Sequence, residues 1–176
     1  MSELSFERSK GRKPTRCILH KVADIPGGVG INPNSLNNDF LLEGTPLAKG
    51  TNGLYDVVAN ATLTKAAATS DTSIEIKKGS HIKIGTVILG ATVQSIDRTN
   101  PNFDTITLDK GMSTAGAIGA IVGENKIVVG VCGTEKNVSN RGNIFVDCWV
   151  IAVVQQSNSP GLSTSQKATI PTLVFV

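Results

Sequence analysis

The sequence predicts an all-β chain: a small antiparallel barrel or sandwich domain carrying an extended N-terminal arm. Three observations predict it. Apolar and polar residues alternate cleanly over residues 72–77 and 81–85, and again over 93–97 and 105–109. Such a period of two puts one face in a core and the other in water. The chain has 18 glycines, where average usage of ~7% gives about 12, and only 4% aromatic and 18% charged residues. Finally, helical periodicity is nearly absent; residues 61–68 hold the one weak candidate turn.

The elements follow in order. Residues 1–35 read as the arm. Arg8, Lys10, Arg12, Lys13, Arg16 and Lys21 face only Glu3, Glu7 and Asp24, and the run 25–35 is broken by Pro26, Gly27, Gly28, Gly30 and Pro33. Proline removes a donor and glycine carries a high ordering entropy, so neither helix nor inner strand is expected there. Residues 36–156 form the β-rich core. Phe40 to Leu47 is a strand broken by Gly44 and Pro46, and Asn52-Gly53 signals a hairpin. A hairpin subdomain occupies about residues 68–110, with a turn at Lys78-Gly79-Ser80 and strands continuing through 81–85. Residues 127–132 and 143–154 are further strands. The second is apolar at nearly every late position, as burial on both faces or at a subunit contact requires. Residues 157–176 form a polar loop and a strongly apolar terminus, expected to dock as a strand.

With 176 residues the chain is one domain with appendages, long enough to bury a core without disulfide or metal. No apolar run reaches the ~18 residues of a membrane helix, and the first residues do not read as a secretory signal. Cys17, Cys132 and Cys148 are odd in number and widely spaced, hence no disulfide framework; the latter two read as buried thiols of a protein made in a reducing compartment.

No catalytic motif is present. Residues 111–116 lack the spacing of a nucleophile elbow, and residues 44–50 reverse the Gly-Lys order of a phosphate loop. Cys17 and His20 have a Cys-x-x-His spacing, but zinc needs two further ligands, and only Cys132, Cys148, His81 or a carboxylate remain. His20 and His81 read as surface or interface residues, and Asp97 and Asp104 as flanks of a solvated turn. No catalytic, cofactor or metal residue is therefore assigned. The basic arm has three readings: a solvated tail, a phosphate-contacting tether, or a docking arm that orders on an acidic protein surface. Its interspersed Ile, Leu and Val favour docking over nucleic acid, since a bare phosphate tether has no use for apolar anchors.

Several motifs carry a family resemblance. Gly44-Thr45-Pro46-Leu47 with Gly53, Tyr55, Val57 and Val58 resembles the entry segment of tailed-phage head fiber and capsid decoration proteins. The likeness is greatest to those of Bacteroides-type and crAss-like phages. Ala68-Thr69 with Thr72, Ile74, Ile76, Lys78-Gly79 and Gly85 resembles their small β-domain. Ile96-Asp97, Asn100 and residues 103–108 resemble its second hairpin, and residues 150–154 and 170–176 match the tail in style. The likeness covers most of the chain from residue 40 onward, and it rests on turns and alternation rather than chemistry. It implies an intertwined trimer, made in the bacterial cytoplasm and seated on the outer capsid as a virion structural protein. Its partners would be the major capsid protein and, where it anchors one, another head fiber protein; no cofactor, membrane or enzymatic activity is implied. Arg12, Lys13, Arg16, Ile18, Leu19 and Lys21 are the expected capsid contacts, and removal of residues 1–30 is expected to abolish docking while leaving a folded trimer. The alternative is a host- or glycan-binding adhesin module, which requires an exposed aromatic platform; Trp149 and Tyr55 are the planar candidates.

Overall fold

The computed structural model describes residues 16–176. In chain order its strands are β1 (Ile18–Asp24), β2 (Val29–Ile31), β3 (Phe40–Leu41), β4 (Pro46–Lys49), β5 (Tyr55–Val57) and β6 (Asn60–Thr62). There follow β7 (Ser73–Lys77), β8 (Val87–Ile88), β9 (Ala91–Asp97), β10 (Phe103–Leu108) and β11 (Ile121–Gly123). The last are β12 (Gly130–Cys132), β13 (Lys136–Asn137), β14 (Ile144–Val146), β15 (Cys148–Val154) and β16 (Leu173–Phe175), with a short helix α1 (Thr164–Thr169) before β16. The protein is all-β, as the alternation and turn content require.

The regular alternation builds a four-stranded sheet in the order β7-β10-β9-β8. Ile74 and Ile76 of β7 and Ile106 and Leu108 of β10 point into one core, where Ile82, Ile88 and Val93 join them. The small pair β6·β11 closes that core with Ala61 and Val122. Residues 81–85 are not a strand. His81 and Ile82 are buried while Lys83 and Ile84 are exposed, so the segment passes across the core edge without pairing.

A second, eight-stranded sheet runs β1-β15-β12-β4-β5-β2-β14, with β16 added in parallel beside β15. Its central strands are buried on both faces. Leu47, Val57 and Cys132 enter one cluster, while their chain neighbours Ala48, Val58 and Val131 enter another. The Asn52-Gly53 turn joins β4 to β5 with φ of 57° and 75°, the two left-handed centres that such a hairpin demands.

Four further expectations are corrected. Residues 18–31 are not an arm: β1 pairs antiparallel with β15, and β2 pairs with both β14 and β5. Residues 61–68 are not helical; β6 and a bridge from Ala67 to Gly116 occupy them. The run 143–154 is two strands, because the chain leaves β14 at Asp147 and β15 takes different neighbours. Helix α1 lies where a loop was expected. Its signal is legible in Ser163 and Gln166: the Ser163 side chain accepts from the Gln166 N–H, and Gln166 Oε1 accepts from the Ser163 N–H at 2.9 Å. The apolar C-terminus docks as β16.

Candidate docking surface

Three of the six predicted contact residues, Ile18, Leu19 and Lys21, lie on β1, and the surface is described from that strand outward. Its entry is fixed by three bonds: Cys17 N–H donates to Glu43 Oε2 at 2.6 Å, Gln155 N–H to the Cys17 carbonyl at 2.8 Å, and Asn158 Nδ2 to the Arg16 carbonyl at 3.1 Å. The strand is an edge of the large sheet among the described residues. It carries two bulges, because Leu19 and Val22 have no opposite residue on β15. Bulges and charge blunt an edge against indiscriminate pairing. Yet both extra residues are apolar and exposed, Leu19 by 46% and Val22 by 59%.

The same apolar character continues across β15 and β16. Ala152 and Val154 point inward, which turns Ile151 and Val153 outward. Val174 is registered with Val153 and is 54% exposed, and Val176 lies two residues further along. The alternate residues of β15 are thus as apolar as the buried set, with Ile151 38% exposed and Val153 half-buried. Ordinary alternation would place polar residues there. His20 and Ala23 of β1 are registered with Val153 and Ile151, and so border this face.

The six predicted contacts separate. Arg16 and Leu19 are exposed at the start of the strand. Ile18 is wholly buried in the core with Val154 and Leu173, and therefore offers nothing to a partner. Lys21 is spent internally: its Nζ donates to the Gly133 carbonyl at 3.0 Å, lies 3.9 Å from Glu43 and sits 5.3 Å from the centre of the Trp149 ring. Arg12 and Lys13 lie outside the described residues. Removal of residues 1–30 would delete β1 and two of the three residues of β2, so the trimer expected to survive that cut would lose its sheet edge. A cut that ends at residue 15 spares every paired strand. The apolar run of β15 suggests burial on both faces or a subunit contact, and only the register shows that Ile151, Val153 and Val174 are the residues that turn outward.

Other constellations are structural. Cys17 turns into the core while His20 is exposed, so they do not converge as ligands. Among the described residues no group of three or more His, Cys, Asp or Glu is placed to hold a metal. Nor is any described helix long and apolar enough to cross a membrane. Asp104 is buried rather than solvated, with Lys78 at 2.7 Å and Arg98 at 3.8 Å. Buried Asn60 and Gln166 bond each other, with Gln166 Nε2 also donating to the Glu124 carbonyl at 2.7 Å; this network ties α1 to β6. A cleft of about 760 Å³ opens beside α1, between Ile84, Val87, Ile121 and Lys126. No aromatic residue lines it; Trp149 packs partly buried under Lys21, and Tyr55 is half-buried against the core.

No family model, curated protein or solved structure matches the chain.

Proposed function

We propose that this protein is a structural, non-catalytic virion component that decorates or stabilises the outer capsid surface of a tailed bacteriophage, or anchors a head fiber there. The observation that carries the reading is the partly exposed apolar face of Ile151, Val153 and Val174, flanked by the exposed Leu19 and Val22 on the edge strand. A monomeric soluble domain rarely leaves such a set contiguous unless something binds it. The basic residues Arg8, Lys10, Arg12 and Lys13 precede that strand in the sequence. They suit an acidic lattice partner, the major capsid protein. Association as a trimer would multiply weak individual contacts through effective concentration.

Quantifying copies per particle in purified virions tests the reading. Hundreds of copies support decoration, whereas confinement to a tail or a single vertex contradicts it. A chain lacking residues 1–15 separates the two contact regions. Loss of particle binding with the fold retained supports a role for the leader, and full occupancy by the truncated chain removes that role.

A further inference from the structure

Cys132 and Cys148 are direct partners across the centre of the large sheet. Their main-chain groups face away from each other. Cys132 N–H donates to the Thr45 carbonyl at 2.8 Å and its carbonyl accepts from Gly44, whereas the Cys148 carbonyl accepts from Ile25 at 2.9 Å. The next pair does bond, with Gly133 N–H donating to the Asp147 carbonyl at 2.9 Å. Cys132 and Cys148 therefore form a non-hydrogen-bonded antiparallel pair, for which Cα atoms stand about 4.5 Å apart. That separation falls inside the range a disulfide spans, about 4.4–6.8 Å. Both side chains enter the same core cluster, hence the same face. Cys17 belongs to the cluster on the opposite face, with the sheet between.

We propose that Cys132 and Cys148 are a latent cross-strand disulfide site, closed by a thiol oxidant of the diazene or peroxide class. Both thiols are free in the structure: Cys132 Sγ points to the Thr134 carbonyl at 3.1 Å, and Cys148 Sγ fills the space left by the missing side chain of Gly130. Closure requires rotation about χ1 to bring the sulfurs together. With diamide the first thiolate adds to the N=N bond, giving a sulfur–nitrogen adduct. The second thiolate then attacks that sulfur, forming S–S and breaking S–N, and the hydrazine product leaves with the two thiol protons. The dithiol is oxidised and the diazene reduced by two electrons. Burial raises both thiols to about 12, so the thiolate is scarce and the reaction is slow until the sheet opens. The bond would close a loop over residues 133–147 and pin β13 and β14 to the sheet centre.

The test treats the reduced full chain with diamide, natively and during refolding, then blocks residual thiols with N-ethylmaleimide in denaturant. Tryptic peptides are read by mass spectrometry. The expected product links residues 127–136 to residues 142–167, two hydrogens lighter than the separate peptides. Refolding should speed its formation. Loop closure of this length should raise Tm by about 6–12 °C, and Cys148→Ala should abolish the shift. Bonds to Cys17 or between chains, or failure of both arms to link the two peptides, would overturn the proposal.

Discussion

The four-stranded and eight-stranded sheets use the same residue types under different constraints. The four strands of the small sheet come from one stretch, residues 73–108, and in β7 the polar Ser73, Glu75 and Lys77 alternate with the buried Ile74 and Ile76. In the large sheet the strands come from both ends of the chain, and β4, β5 and β12 are covered twice. A strand with two dry faces has no polar register to read. What remains uncovered in that sheet, the outward residues of β15 and β16, therefore looks like more core.

Core truncations are the largest way to break this comparison. Ile106→Ala and Leu47→Ala each remove a wholly buried side chain and should cost about 2–5 kcal/mol in denaturant unfolding. Hydrogen exchange should distinguish them. Ile106→Ala should loosen residues 73–108 beyond residues 130–154, and Leu47→Ala the reverse. Equal loosening of both regions by either change would make them one cooperative unit.

That contrast also sets what the sequence reveals. The hairpin at Asn52-Gly53, the strands around Ile74, Ile76 and Ile106, and the docking C-terminus are local patterns and could be read directly. The placement of residues 18–31 could not. Pro26 and the glycines around it do exclude helix, but the turn they form, with Gly27 and Gly28 at φ of 81° and 72°, simply carries the chain from β1 to β2. Ile18 gave no sign that its partner, Val154, lay at the far end of the chain. The docking face was half legible. The apolar run of β15 was visible, but only the register shows which of its residues turn outward.

The seam between the two regions provides a pH test. His81 Nδ1 accepts from the Asn37 N–H at 3.1 Å, and burial, then Arg141, then Arg98 disfavour the imidazolium, against a backbone contact from Phe40 that favours it. Its pKa falls from 6.5 to about 4. The folded state thus binds the proton less well than the unfolded state. The stabilisation is complete above pH 6.5 and is lost as pH falls toward 4, by up to about 3 kcal/mol. His81→Gln should flatten stability over that window; an unchanged slope would relocate the effect to carboxylates.

Turn glycines give a smaller effect. Gly53 in the large sheet and Gly79 beside the small one both have positive φ, 75° and 93°, with open space or an ordinary contact where a Cβ would stand. Each change to Ala should cost about 1–2 kcal/mol from backbone strain alone. A much larger cost at one would show that its turn carries more than conformation. Smallest of all is Lys65→Ala. The Lys65–Glu75 pair spans 3.8 Å with the lysine 71% exposed, and thermal melts should shift by less than about 0.5 kcal/mol equivalent.

The most direct test of the docking account is co-sedimentation of the chain with empty phage shells, comparing the native sequence with an Ile151→Asp/Val174→Asp double variant whose circular dichroism is unchanged. The native chain should pellet with the shells, while the folded double variant should stay in the supernatant. Equal pelleting of the two would contradict the assignment of that face.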